Sequence, residues 1–370
     1  MRILRVTSDL YPYVVGGLGL HTREMSRSQV KQGHMVTVLT TSLPDGVPSE
    51  QDGFNILYFN NFIKLFGNAF SPDLVFKILN NKKYDVIHAH SHLFFSTNIC
   101  ALVRKFRSTP LIITNHGIMS ASAPDLFNLL YLKTLGKWTL NAADRVICYT
   151  DEEKEYLINI LHINASKISV IPNGVDTVKF CPSNEIKHTD DISLLWVGRF
   201  VNGKGVDSLI RAMDILVKDV PNVHLTLVGD GPERGAIQML IKKFALDNYV
   251  EIIDFVPNDE LPNIYQTSDI FVLPSLHEGV PRTVIEAMSC GLPVVMSDMP
   301  HLRELINGGG LMFPKGDVQA LADTLKSLID DAEKRQFIGQ RARKKVEKDH
   351  SWDNTVSKTV KLYQEVVLNK

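Results

Sequence analysis

The chain has 370 residues, 44% of them hydrophobic and 22% charged, with a formal net charge of −1. This length favours two domains with separate cores, and the balanced charge argues against a general nucleic-acid binder. No run reaches the roughly 18 consecutive apolar residues of a membrane span, and the four scattered cysteines indicate reduced thiols of a cytosolic protein.

Short apolar runs alternate with amphipathic stretches along almost the whole chain. The first half has strand candidates at residues 2–8, 35–40, 86–89, 111–115, 145–149 and 168–171. The second half has candidates at residues 194–198, 224–228, 251–255, 270–273 and 294–297. Near-continuous Val, Ile and Leu runs between helices are typical of parallel strands buried on both faces. The pattern therefore predicts an α/β protein with two doubly wound, Rossmann-like domains, residues 1–175 and 176–351.

The loop after the first predicted strand is long, and its glycines come late. Gly16, Gly17 and Gly19 are clustered instead of following the strand directly, and the second strand ends in Thr40-Thr41 without an acid. This excludes a dinucleotide-binding dehydrogenase. Gly16 and Gly17 suit a close approach of backbone to a bulky anion, although a plain turn before a helix is an equal alternative.

Two basic residues follow the first strand of the second half. Arg199 and Lys204 lie between Gly198 and Gly205, just before a predicted helix over 206–217. A planar guanidinium and a point-like ammonium near a helix start could neutralise a diphosphate. The alternative is a pair of solvated surface charges.

Two glutamates eight positions apart follow the strand at 270–273. Glu278 is predicted in the strand-to-helix loop and Glu286 about one turn into the next helix. Ionised carboxylates accept hydrogen bonds from sugar hydroxyls, so this loop is suited to a nucleotide-sugar. The alternative is that Glu278 is a solvated loop residue and Glu286 a solvated residue on the helix surface. Arg199 and Lys204 are expected at the same sheet edge, and this coincidence favours a binding site.

Taken together, the chain resembles the retaining glycosyltransferases of family 4, which have the GT-B fold. The matching segments are Gly16-Gly17-Leu18-Gly19, Thr114-Asn115-His116-Gly117, Ile171-Pro172-Asn173-Gly174-Val175-Asp176, Gly198-Arg199 with Lys204-Gly205, Val228-Gly229-Asp230-Gly231-Pro232, and Glu278 with Glu286. The resemblance implies two Rossmann-like domains facing across a cleft, with a C-terminal helix near 352–370 that returns to the first domain. The first domain would receive the acceptor and the second the nucleotide-sugar.

The resemblance also implies roles for individual residues. The catalytic set would be His116, Glu278, Arg199 and Lys204. The donor-binding set would be Gly16, Gly17, Arg199, Lys204, Val256, Glu278, Gly279, Val280, Arg282 and Glu286. In this scheme Glu286 holds the ribose, Glu278 the sugar hydroxyls, and the backbone near Val256 the base. His116 would lie beside the sugar. No cofactor is expected, and the donor would be a UDP- or GDP-linked sugar.

Three further histidines, His88, His90 and His92, lie close together at one predicted strand end. Packing or a polar network is the favoured interpretation for them. A metal site is not expected, because no carboxylate pair accompanies them and the family needs no metal.

The loop departs from the commoner family pattern, in which E-G-F-G-L takes the place of the sequence from Glu278 to Arg282. Pro281 has no N–H and so removes one backbone donor, whereas Arg282 adds a charge that could reach phosphate or acceptor. This leaves the donor sugar open. Two alternatives also remain, a nucleotide-sugar epimerase of the same fold and a non-catalytic nucleotide-sugar-binding protein.

The acceptor is predicted from the surface of the first domain. Residues 61–70 combine Phe62, Leu65, Phe66 and Phe70 with Lys64, and residues 104–107 form a cationic run around Phe106. Such a surface suits a lipid-linked or glycan acceptor at the inner face of the cell membrane. The alternative is that the apolar groups pack inward and the cationic run is solvated in a purely cytosolic enzyme.

Overall fold

The computed structural model describes residues 1–8, 10–12, 16–41, 49–59, 63–65, 68–79, 84–118, 124–183 and 191–368. The chain forms two compact units, one made of Met1–Pro172 with Asp353–Lys370 and the other of Asn173–Trp352. Among the described helices, none combines the length and apolar character needed to cross a bilayer.

The first unit is built on a sheet of mostly parallel strands. Its strands are β1 (Arg2–Val6), β2 (Met35–Thr41), β3 (Glu50–Gln51), β4 (Phe54–Phe59), β7 (Val86–His90), β8 (Leu111–Thr114), β9 (Arg145–Cys148) and β10 (Ile168–Val170). They lie in the order β10-β9-β8-β7-β1-β2-β4-β3, and β3 alone among them pairs antiparallel. A separate two-stranded sheet joins β5 (Ile63–Leu65) and β6 (Asn68–Phe70).

Helices follow these strands because apolar residues recur at helical spacing between them. They are α1 (Gly17–Lys31), α2 (Pro72–Leu79), α3 (Phe95–Phe106), α4 (Asp125–Tyr131), α5 (Lys137–Ala142), α6 (Asp151–Asn159) and α14 (Trp352–Leu368). A π-helical turn, Leu132–Gly136, joins α4 to α5. Leu362, Tyr363 and Val366 of α14 pack into the core of the first unit, which explains why the end of the chain belongs to it.

The second unit contains a six-stranded parallel sheet. Its strands are β11 (Ile192–Val197), β12 (Val223–Val228), β13 (Val250–Ile253), β14 (Ile270–Leu273), β15 (Val294–Ser297) and β16 (Gly310–Phe313), in the order β13-β12-β11-β14-β15-β16. Its helices are α7 (Val206–Asp219), α8 (Arg234–Lys243), α9 (Leu261–Gln266), α10 (Arg282–Ser289), α11 (Arg303–Ile306), α12 (Val318–Ile329) and α13 (Ala332–Asp349).

Every predicted strand overlaps a strand of the structure, and the predicted doubly wound sheets are confirmed. The prediction missed five strands, namely the two- or three-residue β3, β5 and β6 and the longer β4 and β16. In β4, Asn55 interrupts the apolar run, and β16 has only four residues and begins with glycine. Both lack the uninterrupted Val, Ile and Leu run that marked the other strands.

Candidate active site

The loops after β11 and β14 lie at the same sheet edge because these strands are parallel neighbours. The Leu276 N–H donates to the Gly203 carbonyl at 2.7 Å, which ties the two loops together. Gly205 has φ of 68°, and a Cβ there would lie 2.0 Å from the Pro274 oxygen. Only glycine allows this approach, so the local sequence positions the start of α7 against the strand that precedes Glu278.

Lys204 and Glu278 meet across this junction. Lys204 Nζ lies 2.7 Å from Glu278 Oε1, and the Ser275 hydroxyl donates to the same oxygen at 2.7 Å. The side chains are 29% and 10% exposed, respectively. Both residues are predicted from the sequence at one sheet edge, and the alternative for Lys204 is a solvated surface charge. The structure instead gives a half-buried ion pair, because a lysine so close to a carboxylate gains a charge-assisted hydrogen bond.

Arg199 differs from Lys204 in its lack of a side-chain partner within the described part of the chain. Its side chain is exposed and forms no ion pair or hydrogen bond with any residue that the structure describes. The edge therefore offers one neutralised lysine and one uncompensated guanidinium. A guanidinium is suited to bind two oxygens of a phosphate at once.

Glu286 is almost completely buried in the first turns of α10. Arg282 Nε donates to its Oε1 at 2.8 Å, and the Tyr265 hydroxyl donates to its Oε2 at 3.1 Å. The Arg282 guanidinium also lies over the Trp352 ring, 5.9 Å from its centroid. Burial, followed by the Glu286 charge, raises the pKa of Tyr265 well above its ordinary value. Arg282 thus neutralises Glu286, whereas the sequence suggested a reach toward phosphate or acceptor.

The remaining donor-site candidates of the second unit lie in loops. Gly279 is exposed and Val280 half-buried, just before Pro281, which precedes the first residue of α10. The His301 ring lies 3.1 Å from the Glu278 carbonyl oxygen and so braces this loop. Val256 follows β13 and packs partly against the core.

Gly16 and Gly17 mark the start of α1 in the first unit. A Cβ at either position would meet no described atom within 4 Å. Gly16 has φ of 168°, which is ordinary extended backbone. Neither packing nor conformation in the described residues requires glycine there.

His116 follows β8 and is half-buried. Its Nε2 lies 2.9 Å from Nδ1 of His90, and its Nδ1 lies 3.0 Å from the Tyr149 hydroxyl oxygen. Burial, assisted by the charge of Arg5, lowers the pKa of His116 to about 3. The histidine is therefore neutral at physiological pH and held from both sides.

The neighbouring histidines form the polar network that the sequence suggested. His88 and His90 are fully buried against Arg5 of β1, and His92 Nδ1 lies 2.9 Å from the Asn115 side-chain oxygen. Asn115 in turn donates to Glu153. Burial raises the pKa of Glu153 to about 7.

Within the described residues, one group of side chains has the proximity required for a metal ion. Ligand atoms of His21, His90 and His116 all lie within 4.8 Å of one another. However, both nitrogens of His90 already contact Arg5 and His116, and the group contains no carboxylate. A divalent cation would have to displace these hydrogen bonds beside a buried positive charge, so this arrangement fits a hydrogen-bond network better than a metal site.

Sequence reasoning missed several residues that complete these sites. Ser275, Tyr265 and His301 hold the two glutamate positions, and Arg5 and Tyr149 hold the histidines. Of these residues, Arg5 could have been found from the sequence, because a charged residue within an otherwise apolar, buried strand requires an internal partner.

Comparison with known proteins places this architecture in a family. Residues 182–345 match the model described as glycosyl transferases group 1, and residues 15–179 match the one described as glycosyltransferase family 4. An uncharacterized glycosyltransferase of Methanocaldococcus jannaschii is 28% identical over 98% of both chains.

Two further proteins show similarity in sequence or structure. A galactosyltransferase of Escherichia coli, named for UDP-Gal and an α-D-GlcNAc-diphosphoundecaprenol acceptor, is 28% identical over 80% of this chain and 79% of its own. Anabaena HepE, solved in complex with UDP, superimposes with a TM-score of 0.82 at 22% identity, covering 99% of this chain and 100% of its own. The matched segments contain Gly16–Gly17, His116, Arg199, Lys204 and both glutamates. The chain therefore belongs to the group 1, family 4 glycosyltransferases of the GT-B fold, and it is an enzyme of that class.

Proposed function

We propose that this enzyme transfers a hexose from a UDP- or GDP-linked sugar to a hydroxyl group of a lipid-linked or glycan acceptor, with retention at the anomeric carbon. The observation that carries the proposal is the tied pair of loops that brings Arg199, Lys204 and Glu278 to one sheet edge. The UDP complex of HepE and the lipid-diphosphate acceptor in the name of the Escherichia coli relative support it. The pathway would be biosynthesis of cell-surface glycans or glycoconjugates.

In the proposed reaction, the bond between the anomeric carbon and the diphosphate breaks, and its electron pair stays with the diphosphate. The acceptor oxygen attacks from the face that the diphosphate leaves, and the hydroxyl proton passes to the departing phosphate. Arg199, Lys204 and the start of α7 stabilise the developing negative charge. Glu278 and Glu286 accept hydrogen bonds from sugar and ribose hydroxyls.

The Lys204–Glu278 ion pair determines which basic side chain is available to attract the diphosphate. Before the donor binds, Glu278 neutralises Lys204, whereas Arg199 has no counter-charge among the described residues. The diphosphate is therefore attracted mainly by Arg199. It then shares the Lys204 ammonium with Glu278, whose carboxylate stays in place for the sugar hydroxyls.

The test begins with a panel of nucleotide-sugars scored by thermal shift, followed by kinetics with the donor that binds. Arg199→Ala and Lys204→Ala should each lower kcat/KM by the equivalent of roughly 2–4 kcal/mol of transition-state stabilisation. Arg211→Ala and Lys218→Ala, exposed positions on α7, are matched controls that should retain wild-type turnover. Near-wild-type kinetics in both site variants would refute the diphosphate assignment. Product analysis without acceptor separates transfer from epimerisation.

We also propose that the reaction needs no metal ion, since Arg199, Lys204 and the helix starts supply positive charge at the diphosphate. Activity should survive exhaustive chelation. Complete loss that manganese or magnesium restores would contradict this part of the proposal.

Contact with the inner face of the cell membrane is the final part of the proposal. Large apolar side chains on α4 and the turn after it are exposed, with Leu126 at 79% and Leu130 at 62%, and the exposed Lys133 follows them. Nearby, Phe106 is 75% exposed, and Lys105 Nζ lies 5.0 Å from the Trp138 ring centroid. Apolar groups mixed with lysines favour an anionic lipid surface.

Two segments are predicted from the sequence for this contact, residues 61–70 and 104–107, and the structure describes only the second in full. Residues 61, 62, 66 and 67 lie outside the described part of the chain. In the cationic run, Arg104 pairs with Asp144 and Arg107 donates to the Leu79 carbonyl. These two arginines are therefore engaged internally, and Lys105 and Phe106 are the exposed part of the run.

Co-sedimentation with anionic and neutral liposomes at low and high salt tests the membrane proposal. Binding should require anionic lipid and weaken with salt. Leu126→Glu with Leu130→Glu should abolish it, whereas Met239→Glu, a 68% exposed position on α8, should not. Full activity on a water-soluble acceptor without any liposome binding would contradict the proposal.

A further inference from the structure

A chain of hydrogen bonds runs through the first unit from Arg5 to Tyr149. Arg5 is fully buried, and its Nη1 lies 3.0 Å from Nε2 of His90. His90 Nδ1 then lies 2.9 Å from His116 Nε2, and His116 Nδ1 lies 3.0 Å from the Tyr149 hydroxyl oxygen. The chain therefore connects a buried, permanently charged group to the half-buried histidine expected at the sugar.

Because a guanidinium has no acceptor, it fixes the direction of every hydrogen bond in this series. A guanidinium can only donate, so Nε2 of His90 must accept and the His90 proton must lie on Nδ1. That proton is donated to His116 Nε2, which leaves the His116 proton on Nδ1, directed at Tyr149. The same argument applies to His88, whose Nδ1 lies 3.2 Å from Arg5 Nη1 and whose Nε2 lies 2.7 Å from the Thr114 hydroxyl oxygen.

Arg5 is held firmly enough to impose this order. Its Nε donates to the Ser26 hydroxyl at 3.0 Å, and its Nη2 donates to the Gln29 side-chain oxygen. Internal acceptors thus surround the guanidinium on several sides. Reversing the chain would place two donors face to face in a buried site, which costs the desolvation of an unpaired polar group.

We propose that Arg5 and His90 are positioning residues that hold His116 as a neutral ring protonated on Nδ1, so that His116 serves as an oriented polar group and not as a general acid or base. This inference rests on the proposed function, together with the family resemblance, which implies that His116 lies beside the donor sugar. Because both His116 nitrogens are engaged, the ring orientation is set before any ligand binds. Pre-set geometry of this kind lowers the cost of ordering the site.

The charged groups around the histidine rings also favour the neutral form of His116. The titratable and charged groups that the described residues place around these rings are Arg5 from β1, His21 from α1, His88 and His90 from β7, Tyr149 after β9 and Tyr363 from α14. None of these groups is a carboxylate. Burial, followed by neighbouring positive charges, lowers the pKa of His90 well below its ordinary value, and the Arg5 charge also contributes to the low pKa of His116. Neutral rings are therefore favoured across physiological pH.

Nitrogen NMR on protein labelled with ¹⁵N-histidine reads the proton position directly and needs no substrate. His116 should appear as the neutral tautomer protonated on Nδ1 between pH 5.5 and 8. The uncharged Arg5→Met should give mixed tautomers and a titration moved toward the ordinary value, whereas Arg5→Lys should largely restore the wild-type spectrum. A His116 that carries its proton on Nε2, or that titrates near 6.5, would overturn the proposal.

Kinetics supply the second measurement. The wild-type kcat/KM should show no acid limb from His116 above pH 5. Arg5→Met removes the Arg5 charge but not the burial of the ring, so its acid limb should lie at higher pH than that of the wild type. If the tautomer and the pH profile of Arg5→Met both equal those of the wild type, Arg5 has no positioning role.

A second variant keeps the test decisive if Arg5→Met does not fold. Tyr149→Phe removes the acceptor for the His116 Nδ1 proton without changing any charge, and it should also mix the tautomers. An unchanged His116 tautomer in Tyr149→Phe would overturn the proposed direction of the hydrogen bonds between Arg5 and Tyr149. Full activity in His116→Ala, by contrast, would refute the sugar-site assignment and leave the NMR result intact.

Discussion

At the scale of single residues, glycines at the sheet edge determine how the donor site is assembled. Gly203 and Gly205 both have positive φ, of 86° and 68°, but only Gly205 would bring a Cβ against a neighbour, the Pro274 oxygen. Gly203→Ala should therefore cost about 1 kcal/mol of unfolding free energy, the usual penalty for a left-handed residue.

Gly205→Ala should cost clearly more than that, because backbone must move to admit the methyl group. It should also weaken donor binding, since the displaced loop carries Lys204. Urea unfolding and nucleotide-sugar titration on the two variants provide the comparison. Equal losses of stability would show that the close approach to Pro274 is not a constraint.

Single residues also show how far the sequence alone can go. It placed Lys204 and Glu278 at one sheet edge, because both follow predicted parallel strands and the carboxyl ends of parallel strands share one edge. It could not specify that the two pair with each other across 74 positions, since that depends on the short hydrogen bond between the loops. The role of Arg5 was likewise hidden, because its acceptors come from two other elements of the fold, α1 and β7.

At the scale of elements, helix α10 contains a buried ion pair one turn apart. The side chains of Arg282 and Glu286 are 11% and 3% exposed. Arg282→Met should destabilise the second unit by about 3 kcal/mol or more, since it leaves a buried carboxylate without its cation. Adding Glu286→Leu should recover most of the loss, because a well-packed apolar replacement removes the unpaired charge.

Urea unfolding of the single and double variants measures this coupling. Lys242→Met in the exposed face of α8 is a control that should leave the midpoint unchanged. A double variant less stable than Arg282→Met alone would contradict the argument. Activity is expected to disappear in the double variant whatever its stability, because Glu286 is assigned to the ribose.

The elements themselves were largely predictable because most strands are buried on both faces. The exceptions have physical causes. Strand β4 lies near the edge of its sheet, beside the short antiparallel β3, and so it need not be apolar throughout. The segment from α4 to α5 has many exposed leucines and a π-helical turn, and no regular period marks it.

At the scale of the whole molecule, the first unit should lose stability in acid. Burial lowers the pKa of His88 and His90 well below their ordinary value and that of His92 to about 4. Below about pH 6.5 the unfolded chain therefore binds protons that the folded unit does not. Each such histidine lowers the unfolding free energy by up to about 1.4 kcal/mol per pH unit in this range.

Glu153 acts with the opposite sign. Its raised pKa, about 7, means that the folded unit holds a proton that the unfolded chain releases, so its contribution falls as the pH rises from about 4.5 to 7. Three histidines outweigh one glutamate, and urea unfolding should show a less stable protein at pH 5 than at pH 7. Glu153→Gln should steepen the dependence. Equal stability at both values would contradict the prediction.

The route of the chain between the two units has a consequence for protein engineering. The second unit is inserted into the sequence of the first. Its two ends are hydrogen-bonded to each other, since the Val175 N–H donates to the His350 carbonyl and the Trp352 N–H donates to the Val175 carbonyl, both at 2.9 Å. In the first unit, the Thr355 hydroxyl donates to the Pro172 carbonyl, also at 2.9 Å, so the flanks of the insertion are neighbours as well. Residues 173–352 thus form a cassette that can be excised, expressed alone or exchanged for that of a relative, with a short linker closing the host.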